Sequence, residues 1–375
     1  MKRGGNQAME RLKVGVIGTG MGFERLHYPA YQELSAQYQI VAVCDRDRFK
    51  AEKWSKKLGL ADDAVYSDYQ EMIRRTDLQV IDIIVPIELN FKIAATVAQA
   101  SAGTKKAIIL EKPLAPTLEQ AKAAAELPQK YGIMMMIAEN YRYNEEINLI
   151  RDLIREGQIG EVDFFQLTRI FNYLDDMKSD NFAAREWRQH PHFPGGVFYD
   201  SAVHDLAALS HIFGALDEVT AYGERKPVTP EQYTVVNAIL KFSSGLTGSY
   251  SFASGCKELQ RPLSGLRILG RNGELYLEER DAGVINITYN DGTSQHLSYQ
   301  PRRGYYNELL NLYNAYTGKE ALAVTPELEY GDAKAALAIV ESIENETPVK
   351  VDQEDRFQPF DRAAAQHRIQ QPTVQ

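Results

Sequence analysis

The chain has little cysteine. Cys44 and Cys256 are the only two in 375 residues, too few for a disulfide framework or a zinc quartet. Cys44 sits in the apolar run IVAVCD, where a small buried residue is expected. Long hydrophobic runs are missing too. None approaches the roughly 20 residues that a membrane span needs. No N-terminal stretch has the charged-then-apolar layout of a signal peptide, so a cytoplasmic protein is expected. Clustered positive charge is the third absence. The net charge is −9, with no run of Lys or Arg, and this argues against a nucleic-acid surface.

What is present is ordinary globular composition, 44% apolar and 25% charged, in a length that suits two domains. The ends, MKRGGNQAME and QPFDRAAAQHRIQQPTVQ, lack apolar periodicity and are expected to be mobile. Up to Asn140, strand-like runs (LKVGVIGTG, QIVAVCDRD, DLQVIDIIVP, KKAIILEKPL, GIMMMIAEN) alternate with helix-length stretches. That rhythm predicts a parallel sheet with helices on both faces. After Asn140 one helix (INLIRDLIREG) precedes a series of longer alternating strands from VDFFQLTRIFN to VINITYN. Asn272–Gly273 and Asp291–Gly292 are hairpin signals within it. One helix after PGG interrupts the series, and two more near 305–317 and 328–345 close it. The expected organisation is a Rossmann domain over 11–140, an α+β domain with a large antiparallel sheet over 141–350, and a tail over 351–375.

Three stretches carry chemistry. VGVIGTGMGF puts Gly18 and Gly20 between a strand and a helix, the arrangement that lets backbone approach a pyrophosphate. The third glycine of G-x-G-x-x-G is absent. Phe23 stands there, with Gly22 one place early, so the helix is expected to start differently. Asp45 closes the second strand 25 residues after Gly20, somewhat beyond the usual spacing of about 20. A carboxylate there accepts from ribose hydroxyls and favours NAD. Arg46 beside it leaves NADP open. AIILEKPLAP sets Glu111 and Lys112 at the C-terminal end of a strand, where open α/β sheets bind ligands. Pro113 after them is a candidate cis residue.

The third stretch is PGGVFYDSAVHDL. If it is helical, Asp200 and His204 share a face. That pair is open to three readings: a metal half-site, an acid/base couple, or a buried hydrogen bond. His190 and His192 nearby keep a metal in view, but a loop over the substrate suits them better. No metal is expected. Asp205 points about 100° away and stays outside the set.

These pieces, with HYPA after the glycine turn and NYRYNEEINLIRDLIREGQIGEV, lie in order from about residue 12 to 350. Together they resemble the glucose–fructose oxidoreductase / inositol dehydrogenase (Gfo/Idh/MocA) family. The resemblance implies a dinucleotide at the Rossmann switch point and a sugar, inositol or related polyol between the domains. It implies Lys112, Asp200 and His204 as the catalytic set. Gly18, Gly20, Met21, Asp45, Arg46, Pro86, Asn90, Glu111 and Lys112 become the expected cofactor contacts. Tyr141, Arg142, Trp187, Asp200 and His204 become the expected substrate contacts. Many relatives carry a histidine where Asn90 stands, so contacts near the nicotinamide are expected to differ.

The chemistry expected is hydride exchange between a nicotinamide and a secondary alcohol or ketone. A histidine, with an ordinary pKa of about 6.5, is the natural proton acceptor. Asp200 would orient it, and Lys112 would stabilise the alkoxide. A desolvated Lys112 is the alternative base. Two other functions fit the same fold: a non-catalytic sensor of dinucleotide or sugar, and a glycosidase working through transient oxidation by bound NAD. A homodimer or homotetramer through the second sheet is expected, with no nucleic-acid or membrane partner.

Overall fold

Six strands form the first sheet in this computed structural model, which describes residues 11–180, 182, 186–225, 232–259 and 263–351. The two ends expected to be mobile, and the tail past Val351, lie outside the described residues. The strands are β1 (Leu12–Ile17), β2 (Tyr38–Cys44), β3 (Val65–Tyr66), β4 (Val80–Ile83), β5 (Ala107–Glu111) and β6 (Met134–Ala138). They run in the order β3-β2-β1-β4-β5-β6, and every pairing is parallel. β5 and β6 are buried at every position, because crossover helices cover both faces. Two of those helices are α1 (Arg48–Leu58) and α2 (Ile87–Ser101). Asp47 caps α1 by accepting from the Phe49 amide, and Gly59 stops it at φ +66°. The chain order reverses between β1 and β4, and that switch point opens a crevice at the strands' carboxyl ends.

The second sheet has nine strands: β7 (Val162–Ile170), β8 (Leu216–Arg225), β9 (Tyr233–Phe242), β10 (Thr247–Ala253), β11 (Gly265–Gly270), β12 (Gly273–Leu277), β13 (Val284–Tyr289), β14 (Ser294–Ser298) and β15 (Val349–Lys350). Their order is β14-β13-β12-β11-β7-β10-β9-β8-β15. All pairings are antiparallel except β7 with β10. The strand SQHLS (β14) is not legible from its residues, being polar and mostly exposed. It forms because the Asp291–Gly292 turn folds it back onto β13.

One face of this sheet packs on α3 (Val197–Phe213) and α5 (Pro326–Asn345). The other is open and exposes Phe164, Tyr222, Ile239 and Leu269. Between α3 and α5 in sequence, α4 (Gly304–Tyr316) returns to the first domain. There the Tyr38 hydroxyl donates to the Leu309 carbonyl at 2.6 Å. Among the described residues no helix is long and apolar enough to cross a membrane.

Candidate active site

The turn after β1 is shaped for backbone access. Gly18 has φ +93°, and a Cβ there would lie 1.9 Å from the Ile84 carbonyl oxygen, so no side chain fits. A Cβ on Gly20 would meet nothing within 4 Å. Gly22 faces the Ile84 side chain so closely that a Cβ would sit 2.9 Å from it. Gly22 therefore permits the helix–strand approach normally left to the third glycine. Phe23 turns inward instead, edge-on to Trp54 with ring centroids 4.6 Å apart. The helix does begin differently: Phe23–His27 form a widened turn, closed by the Tyr28 amide on the Phe23 carbonyl.

Asp45 reaches this turn. Its Oδ2 accepts from the Thr19 amide (2.9 Å) and the Thr19 hydroxyl (3.1 Å). Its Oδ1 accepts from the Asp47 amide at 2.9 Å. A cavity of about 1450 Å³ runs from here to α3, and Gly18, Gly20, Met21, Asp45, Arg46 and Pro86 all line it. A glycine turn with open space at Gly20 and a carboxylate at the ribose end fit a dinucleotide.

Glu111 and Lys112 enter the cavity from the end of β5. Glu111 Oε1 bonds His27 Nε2 at 2.9 Å, and His27 Nδ1 bonds Asp82 at 2.9 Å. Burial alone would lower the His27 pKa. The Asp82 and Glu111 charges and hydrogen bonds outweigh it and raise the value well above normal. The Lys112–Pro113 bond is cis. Asn90, fully buried, donates to the carbonyls of Glu111 (2.8 Å) and Pro113 (2.7 Å). It braces the turn and does not line the cavity, which corrects its expected role as a cofactor contact. Replacing Asn90 with leucine is expected to cost about 1–3 kcal/mol, since buried carbonyls lose their donors. A thermal melt checks this.

Gly195 and Gly196 have φ of +78° and +54°, and this bend starts α3 against α5. A Cβ at Gly195 would come 2.9 Å from Val340 Cγ2. On α3, Asp200 Oδ1 accepts from Lys112 Nζ at 2.8 Å, and Oδ2 accepts from Arg188 Nε at 2.7 Å. Lys112 also donates to the Asp200 carbonyl at 2.8 Å. Burial would raise the Asp200 pKa. The charges of Arg188 and Lys112 outweigh that and hold it well below the carboxylate range.

His204, one turn on, does not pair with Asp200. Its Nδ1 lies 2.7 Å from Glu139 Oε1, at the end of β6. The expectation that Asp200 orients the imidazole is overturned, because both carboxylate oxygens are already taken by cations. Glu139 does that work. Its signal in the sequence is a carboxylate closing the apolar run GIMMMIAEN, beside the strand that carries Glu111. Burial, then the Lys112 and Arg280 charges, push His204 well below 6.5. Burial pushes Glu139 up to about 7, against the lowering charge of Lys112. The Tyr141 ring stacks on the imidazole at 4.3 Å and 11°. Nε2 has no partner among the described residues.

Two further expectations change. Arg142 is buried in a bidentate pair with Asp332, Nη2 to Oδ1 at 2.9 Å and Nε to Oδ2 at 3.2 Å, and does not line the cavity. His190 and His192 are exposed and do not line it either. Trp187 does line it, with the Arg188 guanidinium 4.1 Å above its ring. Among the described residues no cluster of three or more His, Cys, Asp or Glu could hold a metal ion.

Two family models cover most of the chain. Residues 12–139 match the oxidoreductase-family NAD-binding Rossmann fold, and residues 151–351 match that family's C-terminal alpha/beta domain. The chain belongs to the Gfo/Idh/MocA oxidoreductase family. Its relatives include an uncharacterised protein of Saccharomyces cerevisiae, 26% identical over 73% of this chain and 76% of that one. A levoglucosan dehydrogenase of Pseudarthrobacter phenanthrenivorans is 31% identical over 57% of this chain. The chain spans 54%, little more than half, of that dehydrogenase. A levoglucosan dehydrogenase solved with NADH shares the fold at TM-score 0.80. It is 23% identical, over 92% of this chain and all of that one. The Gfo/Idh/MocA chain thus carries the NAD-binding Rossmann domain and the C-terminal domain of an oxidoreductase family.

Proposed function

We propose that this chain transfers hydride between NAD(P) and a secondary alcohol or ketone of a sugar, inositol or related polyol. One observation carries the reading. Lys112, held on Asp200, and His204, with Nε2 unpaired, line the same cavity as the glycine turn. The likeness to levoglucosan dehydrogenase supports a carbohydrate substrate.

Hydride acceptance is the chemistry that a nicotinamide would supply when bound, which leaves the protein to manage a proton and a developing charge. His204 Nε2 takes the hydroxyl proton. The imidazolium that forms is stabilised by Glu139 on Nδ1. The Lys112 ammonium stabilises the alkoxide as its charge grows. Asp200 fixes Lys112 from the far side, and Arg188 completes that carboxylate's coordination. Lys112 is ion-paired and serves as the cation, while His204 serves as the base.

The test is a panel of sugars, sugar acids, amino sugars and inositols with NAD and NADP, followed by nicotinamide absorbance. Net reduction of the dinucleotide is expected. Bond cleavage without net reduction would mark a redox glycosidase, and binding without either would mark a sensor.

The open sheet face is expected to be covered by a second copy of the chain, since Phe164, Tyr222, Ile239 and Leu269 project from it. Light scattering should give a dimer or tetramer. A Tyr222→Asp/Ile239→Asp variant should be smaller.

A further inference from the structure

We propose that the substrate carries a carboxylate and that Arg280 holds it, so that the reaction is oxidation of a sugar acid or carboxylated polyol. This rests on reading the cleft as a dehydrogenase site. The cations at the α3 end of the cavity have different fates. Lys112 and Arg188 share Asp200. Arg169 lies 3.4 Å from Asp205 and donates to the Tyr141 hydroxyl. Arg302 is paired with Asp281, with Nε at 2.8 Å.

Arg280 is the exception. It is half-buried and lines the cavity. Its guanidinium carbon lies 4.2 Å over the Tyr141 ring. No carboxylate or other acceptor among the described residues bonds it. Contact with a ring face satisfies none of the five N–H donors. A planar fork held over an aromatic ring, with no acceptor on its donors among the described residues, is prearranged for a bidentate acceptor.

Its distance from the chemistry is bounded. The His204 imidazole and the Arg280 guanidinium lie 4.3 Å and 4.2 Å from the same Tyr141 centroid, so they are at most about 8.5 Å apart. A six-carbon sugar acid spans that gap, with a ring hydroxyl at His204 and its carboxylate at Arg280. The charge bookkeeping agrees. Arg280 depresses the basicity of His204, and a substrate carboxylate on Arg280 would cancel that effect as it binds. A single guanidinium suits a carboxylate better than a phosphate dianion, which would want a second cation. Its neighbours Arg169 and Arg302 are already committed to Asp205 and Asp281.

The experiment measures kcat and KM for matched sets: neutral sugars and polyols, their uronic or aldonic acids, and their phosphates. It uses wild type, Arg280→Leu and Arg280→Lys. The best acid should exceed its neutral counterpart in kcat/KM by at least about 10-fold. Arg280→Leu should raise KM for the acid about 10–100-fold with kcat nearly held, collapsing the acid-over-neutral ratio. Arg280→Lys should recover part of it. A wild-type preference for neutral or phosphorylated substrates, or an acid KM unmoved in Arg280→Leu, overturns the proposal and leaves the dehydrogenase reading standing. If nothing in the panel turns over, calorimetry of the NADH complex with the same acids decides. Arg280-dependent binding of acids alone supports the carboxylate site, and its absence overturns it. The lack of turnover then counts against the dehydrogenase reading separately.

Discussion

Replacing Lys112 with methionine is expected to lower kcat roughly 10²–10³-fold, the usual loss when a preorganised charge at a developing oxyanion is removed. Dinucleotide affinity should stay within a few-fold, because the glycine turn and Asp45 belong to other elements. Methionine keeps the length of the side chain, so the gap beside Asp200 stays filled. Asp200 keeps Arg188 as a partner at 2.7 Å, and the chain should still fold. KM for the substrate should change less than kcat, since the alkoxide charge exists only on the way to the ketone. Steady-state kinetics with a parallel dinucleotide titration separates these effects.

Glu139→Gln carries the second large effect, a fall in kcat of about 10²-fold. The carboxylate accepts the proton on His204 Nδ1 and so leaves Nε2 bare. The glutamine amide can instead donate to Nδ1, which places the ring proton on Nε2 and blocks the base. The same logic gives a pH dependence. With burial raising Glu139 to about 7, the pair loses a proton through that range. Below it, a protonated Glu139 donates to Nδ1 and the base is blocked. Above it, the carboxylate holds the productive tautomer. The oxidation rate should therefore rise with pH through about 7 and level off. Glutamine does not titrate, so this limb should disappear in the variant. A purely structural role for Glu139 would lower activity and leave the limb in place.

Much of the framework was legible because local pattern and tertiary structure agree. The alternating segments before Asn140 became one parallel sheet. The apolar ends of AIILEKP and GIMMMIAEN became neighbouring strand termini. The family resemblance grouped Lys112, Asp200 and His204, and all three line one cavity. What spacing did not carry was pairing. Residues i and i+4 on a helix lie near each other, but Asp200 found stronger partners in Lys112 and Arg188, from other elements. His204 was left to Glu139, which is 65 residues away in the chain. Arg142 sits in a turn that suggested the cleft, yet its partner Asp332 lies 190 residues on and draws it into the core. Asn90 faces the Lys112 turn because α2 begins beneath it, and nothing in PIELN signals that. β14 was hidden for another reason. An edge strand with no buried face has no period to read.

The central claim is that one cavity joins a dinucleotide turn to a Lys112–His204 hydride-transfer site. The most direct measurement is nicotinamide absorbance with the sugar, sugar-acid and polyol panel, on wild type and Lys112→Met side by side. Wild type should reduce the dinucleotide, and Lys112→Met should lose nearly all of that reduction while still binding the dinucleotide. Equal reduction by the two proteins would contradict the claim, as would tight dinucleotide binding by wild type with no reduction by any compound.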